Sequence, residues 1–169
     1  IRTLSILPEY LKSREQDRVI DYRDWSVPLG RRFRALKLWF VIRSYGVKGL
    51  QKIIRNHIKL AEYAATWMDE DPEFELVSPR SLSLLNFRFR PKNITKSADI
   101  DRLNEDLLNR LNDSGRVYFT QNRVRGKFTI RWSIGQTNTQ LKHVENAWSL
   151  IKRISSNLNQ IDSARINSD

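Results

Sequence analysis

Arg23, Arg31, Arg32, Arg34 and Lys37 stand among Trp25, Trp39 and a run of large apolar residues in DYRDWSVPLGRRFRALKLWF, residues 21–40. Clustered guanidinium groups recognise carboxylates or phosphates. Beside aromatic rings they also make the footprint that a nucleic-acid backbone requires. Pro28-Leu29-Gly30 breaks the chain just before a helical pattern, so these cations fall at the start of a helix. That is the positive end of its dipole, against the usual preference. A carboxylate, a phosphate or an acidic neighbour would relieve the conflict, and a solvated basic face is the plain alternative.

Other chemistry is sparse. His57 and His143 are the only histidines. Each lies in a helical pattern with no second ligand residue at i+3 or i+4, which points to structural or surface roles. There is no cysteine, so thiol nucleophiles, disulfides and zinc–cysteine sites are excluded. No glycine-rich phosphate loop and no nucleophile elbow is present. Arg125–Trp132 has the outline of an RNA-recognition strand, yet Lys127 and Phe128 occupy the positions where that motif needs an aromatic and then a small residue. It reads as a half-buried antiparallel strand.

The elements that would position these residues follow from periodicity. Residues 1–20 are loop-like, with Pro8 ahead of the polar string Ser13–Asp17. A helix is expected over about Arg31–Tyr45, stopping at Gly46. A second covers about Val47–Asp69, its stripe formed by Leu50, Ile53, Ile54, Ile58, Ala61, Ala65 and Met68. After Asp71-Pro72 the period changes to two. Phe74 and Leu76, then Leu85, Phe87 and Phe89, alternate with polar residues and read as paired strands joined through Ser78-Pro79-Arg80-Ser81. A helix over Ala98–Asn112 turns Ile100, Leu103, Leu107 and Leu111 inward. Two more strands follow, the second with Phe128, Ile130, Trp132 and Ile134 on one face. A last helix, about Thr139–Leu158, aligns Leu141, Val144, Trp148, Ile151 and Ile154, and the polar tail beyond it is expected to fray. Short antiparallel strands with helices on one face make an α+β layer.

Composition sets outer bounds. The chain has 169 residues, of which 40% are hydrophobic, enough for a core. The longest wholly apolar run, Leu38–Ile42, is far too short to span a bilayer. The net charge is +11, and residues 1–55 hold 13 Lys and Arg against 5 Asp and Glu, so most of the excess sits in the first third. Such a bias implies an acidic partner, or balancing carboxylates on a segment that the chain does not contain.

Three stretches are similar to one family. PEYLK at 8–12, DYRDWSVPLGRRFRALKLWFVIRSYGVKGLQ at 21–51 and GRVYFTQNRVRGKFTIRWSIGQTNTQLKHVENAWSLIK at 115–152 resemble the carboxy-terminal part of the group II pyridoxal-phosphate (PLP)-dependent amino-acid decarboxylases. The aromatic L-amino-acid branch is the nearest, with its dopa, tyrosine, tryptophan and phenylalanine decarboxylases. The 21–51 block is long and specific, whereas 70–112 is less diagnostic. The resemblance implies the small carboxy-terminal domain of a fold-type I, aspartate aminotransferase-like enzyme. Its four short antiparallel strands and helices, residues 37–169, would follow the end of the large PLP-binding domain, residues 1–36, with a mobile catalytic loop at about 8–20.

The resemblance also implies what is missing. In the family, the Schiff-base lysine follows a histidine. This sequence has no His-Lys pair; Lys142-His143 is the reverse order. The chain is thus expected to be a fragment that is inactive alone, with PLP held mainly by an amino-terminal part outside it. Tyr10 resembles the family's proton donor, which protonates the quinonoid after carbon dioxide leaves, and phenol suits that task in a closed site. Related aldehyde synthases carry phenylalanine there, so tyrosine implies simple decarboxylation to the amine. Gly30 matches a position that borders the substrate pocket from the partner subunit, where glycine leaves room for a catechol, phenol or indole ring. Arg23 and Arg31 are expected to support the site by pairing with carboxylates on the missing domain or the second subunit. Implied partners are an aromatic amino-acid substrate, the missing amino-terminal portion and a second copy in a homodimer, without nucleic acid or membrane, in the cytoplasm. The alternative is a free-standing basic nucleic-acid-binding α+β module.

Overall fold

The computed structural model describes residues 34–166, with side chains over 35–159. Its elements are α1 (Arg34–Asp69), β1 (Phe74–Leu76), β2 (Leu84–Phe89), α2 (Ser97–Asp113), β3 (Thr120–Val124), β4 (Lys127–Ser133) and α3 (Leu141–Ile166). The chain divides into two compact units, Ile1–Lys52 and Ile53–Asp169.

In the first unit, residues 34–52 belong to α1, which kinks at Gly46. Gly46 has φ 64° and ψ 172°, a conformation essentially reserved for glycine. The helix break expected at Gly46 is therefore realised as a kink between two helical segments. Around the segment before it, Leu36, Leu38, Trp39, Phe40, Val41 and Ile42 are all exposed.

The second unit is α+β. Its sheet has the order β1-β2-β4-β3, and every neighbouring pair is antiparallel. The entry into β1 and the β3–β4 hairpin arise locally. Asp71 accepts the backbone N–H of Glu73 at 3.0 Å and starts the turn into β1, an Asx turn of the kind aspartate favours. Arg125 and Gly126, both at positive φ, form the two-residue turn that sets Val124 opposite Lys127. This resolves the Arg125–Trp132 motif as a hairpin turn followed by a half-buried strand. The two hairpins meet along the central seam, where Leu85 lies opposite Trp132 and Phe87 opposite Ile130.

The core lies between this sheet and the helices. Phe87, Phe89, Ile130, Leu107, Leu111, Met68 and Ile151 are fully buried. The faces expected of β4 and α2 are the ones observed, with Phe128, Ile130, Trp132 and Ile134 buried on the first and Ile100, Leu103, Leu107 and Leu111 on the second. Aromatic contacts knit the layers: Phe74 meets Trp148 of α3 edge-on at 4.9 Å, and Phe119 meets Trp132 at 5.4 Å. Such pairs add about 0.5–1.5 kcal/mol each beyond area burial.

Four details depart from the periodic reading. Ile54 is 52% exposed because the buried stripe of α1 begins a turn later, at His57. Leu141 is 38% exposed, being the first residue of α3 and ahead of its buried face at Val144. The helix α3 runs on to Ile166 rather than ending at Leu158, since no glycine or proline interrupts it. Finally, Arg88 alternates with Phe87 and Phe89, yet is only 2% exposed.

Candidate functional site

The burial of Arg88 is explained from α2. Its Nη2 donates to Asp101 Oδ1 at 2.5 Å, with side-chain exposures of 3% and 22%. The same oxygen accepts the backbone N–H of Phe128 at 3.2 Å. Asp101 Oδ2 stands 3.5 Å from Arg123 Nη1. One carboxylate on α2 thus ties together β2, β3 and β4. Less than one turn on, Asn104 is fully buried. Its Oδ1 accepts the N–H of Phe89 at 2.7 Å, while its Nδ2 donates to the carbonyls of Phe89 and Ile100, both at 2.8 Å. The β2–β4 ladder ends at Phe87 and Ile130, and the two α2 side chains supply hydrogen bonds just beyond it. A carboxylate committed to three donors is an architectural group rather than a general base.

The histidines are architectural too. Buried His57 places Nε2 3.0 Å from the carbonyl of Gln136, fixing α1 to the loop before α3. His143 Nδ1 accepts the N–H of Gln140 at 3.1 Å and caps the start of α3. These are the structural roles that the sequence suggests for both. No group of three metal-ligating side chains occurs among the described residues. Two clefts are present in the second unit. One, of about 290 Å³, is lined by Tyr118, Phe119, Trp132, Gln136 and His143 among others. The other, of about 630 Å³, is lined by Asp69, Glu75, Arg90 and Lys92 among others.

Among the lysines with described side chains, only Lys127 and Lys152 are half-buried, and the rest are exposed. Lys127 is held by Glu75 at 3.1 Å and Lys152 by Asp71. Tyr10, the loop at about 8–20, Arg23, Gly30 and Arg31 all lie outside the described residues, so the structure neither brings them together nor separates them. The sequence reading missed Arg88, Asp101 and Asn104, whose roles are structural. An asparagine in line with the buried leucines of an amphipathic helix was the available signal for the last.

The family described as the pyridoxal-dependent decarboxylase conserved domain matches residues 1–90, more than half of the chain. The chain belongs to the pyridoxal-dependent decarboxylase family. Tryptophan decarboxylase TDC1 of Camptotheca acuminata is 44% identical over 154 residues, 90% of this chain and 31% of the relative. Tyrosine decarboxylase 4 of Petroselinum crispum is 44% identical over 157 residues, with the same coverage. The crystal structure of Oryza sativa TDC with PLP and tryptamine superposes with a TM-score of 0.69 at 37% identity, covering 93% of this chain and 33% of that one. The chain thus spans about a third of the length of the decarboxylases it matches, and its α+β fold is shared with them. Membership of a decarboxylase family favours the enzyme reading of the basic cluster over a nucleic-acid module. No helix among the described residues is long and apolar enough to cross a membrane.

Proposed function

We propose that this chain is one part of a PLP-dependent aromatic L-amino-acid decarboxylase, a carbon–carbon lyase that yields the amine and carbon dioxide. The observation that carries this is the 44% identity, over 90% of the chain, to both a tryptophan and a tyrosine decarboxylase. The identity is shared between the two, so the reading stops at aromatic L-amino acids as a class.

Within it, Tyr10 supplies the proton that the substrate's α-carbon takes up in place of carbon dioxide. Its side chain belongs to a loop at about 8–20 that closes over bound substrate and excludes water. Gly30 forms a pocket wall without a Cβ, leaving room for the aromatic ring. Arg23 and Arg31 hold the base of the loop through carboxylates of the rest of the protein or of a second copy, in a cytoplasmic homodimer. Residues 1–36 close the large cofactor domain. Residues 37–169 form the small one, within which the compact unit Ile53–Asp169 falls. PLP is held mainly by the part of the decarboxylase that lies outside this chain. The 169-residue chain alone then releases no carbon dioxide from any aromatic amino acid.

The test is Tyr10→Phe in a full-length protein carrying this sequence. Loss of a positioned proton donor typically costs 10²–10⁴-fold. Amine formation is expected to fall by about 10²-fold or more, with aldehyde and ammonia appearing at the expense of dissolved oxygen. Amine production at an undiminished rate would remove Tyr10 from the reaction.

A further inference from the structure

We propose that the smaller cleft of the second unit binds a small aromatic carboxylate, a flat ring bearing one negative charge and no ammonium group. The inference goes beyond the functional reading above and stands on residues of Ile53–Asp169 alone. Arg116, Tyr118, Phe119, Trp132, Thr139 and His143 are among the residues that line the cleft, and no aspartate or glutamate is. Arg116 is exposed, and its guanidinium makes no ion pair among the described residues. His143 is engaged in a way that fixes its proton. Its Nδ1 accepts the N–H of Gln140, so the neutral ring carries hydrogen on Nε2 and offers it as a donor. Thr139 adds a hydroxyl. An unpaired guanidinium beside neutral donors is the set that recognises a carboxylate.

The aromatic part of the lining selects the rest of the ligand. Phe119 and Trp132 are buried and meet edge-on at 5.4 Å, which gives the cleft a rigid apolar base. Tyr118 is 81% exposed and leaves a ring face open to a second flat ring. One wall is held before any ligand arrives. The carbonyl of Gln136 accepts from both His57 Nε2 and the N–H of Thr139, each at 3.0 Å. A volume of about 290 Å³ lies at the small end of ligand sites, which run from roughly 300 to 1,000 Å³, and suits a single-ring acid. Charge then decides among aromatic ligands. An arylalkylamine meets Arg116 with like charge. An amino acid brings an ammonium group for which the lining holds no carboxylate, and a polar group left unpaired costs affinity. The larger cleft has no such preference, since Asp69 and Glu75 stand there beside Arg90 and Lys92.

The experiment titrates 3-phenylpropanoate, inorganic phosphate and phenethylamine in turn into a full-length protein carrying this sequence, followed by calorimetry. The readout is the component of binding that Arg116→Ala changes, so that sites elsewhere cancel. For 3-phenylpropanoate, Arg116→Ala is expected to raise the Kd of one site per chain by about tenfold or more, the worth of a charge-assisted hydrogen bond. Tyr118→Ala is expected to weaken the same site severalfold. Phosphate and phenethylamine should show no component that Arg116→Ala weakens. Arg116→Glu should abolish binding of the acid there and admit phenethylamine instead, a gain that an unfolded variant does not produce. Both side chains are exposed, and thermal melts check that each variant stays folded. Acid binding that survives Arg116→Ala and Tyr118→Ala places the ligand elsewhere and overturns the proposal. So does a phosphate site that Arg116→Ala weakens as strongly, since the rings would then select nothing. Acid that still binds Arg116→Glu as tightly as the parent overturns it as well.

Discussion

Asn104 shows how much one side chain can hold. It makes three buried hydrogen bonds, two of them to the backbone of Phe89. Asn104→Ala strands the N–H and carbonyl of that residue where water cannot reach, and an unsatisfied buried group costs about 1–3 kcal/mol. We expect a loss of about 2–4 kcal/mol, read by urea denaturation. Asn104→Leu should lose nearly as much, although it fills the space, because the stranded groups are the cause. At the opposite end of the scale, Leu82 has φ 51° and is 67% exposed. It occupies a left-handed position that costs most side chains about 1–2 kcal/mol. Asparagine tolerates that region, so Leu82→Asn should raise stability by about 0.5–1 kcal/mol in the same assay. A lower midpoint would mean that Leu82 makes a contact worth more than its strain. The proposed site residues belong to this scale too. Clustering marked Arg23 and Arg31 and the Pro28-Leu29-Gly30 breaker marked Gly30, but the roles proposed for them, and Tyr10 altogether, came only through likeness to a family.

Elements were far more legible, and for a plain reason. Period-two alternation in β4 and period-3.6 spacing in α2 each mark a face that must be buried, and those faces are buried. Departures arise where burial depends on a partner distant in sequence. Arg88 alternates like a surface residue, but Asp101 reaches it from α2, and nothing in either local pattern encodes that meeting. Ile54 and Leu141 continue helical stripes beyond the point where the core stops. Gly46 was readable as a break because glycine is the usual residue there. An added Cβ at Gly46 meets no atom within 4 Å, so the barrier to substitution is backbone conformation alone. Gly46→Ala is therefore expected to cost about 1–3 kcal/mol, or else straighten the kink and raise helicity. Far-ultraviolet circular dichroism through a thermal melt distinguishes those from no effect, which would show the kink to be incidental.

For the molecule as a whole, the two units present opposite surfaces. The second wraps its apolar residues around a sheet. Among the described residues of the first, Leu38, Trp39, Phe40, Val41 and Ile42 and the cations Lys37, Arg43, Lys48 and Lys52 are exposed. The sheet order has a kinetic consequence. Each outer strand joins its neighbour through a short local hairpin, so β1–β2 and β3–β4 can form early and independently. Only the middle pairing, Leu85 with Trp132 and Phe87 with Ile130, must bring remote stretches together, and closing that loop costs entropy before any contact repays it. Weakening the middle, as with Ile130→Val, should slow refolding in stopped-flow traces. Weakening the β3–β4 hairpin, as with Val124→Ala, should also slow refolding and leave unfolding nearly unchanged, because that hairpin is already in place when the halves meet. Until the halves clasp, two half-built ribbons wait with bare edges, and it is in that interval that a nascent polypeptide of this kind is most exposed to clumping.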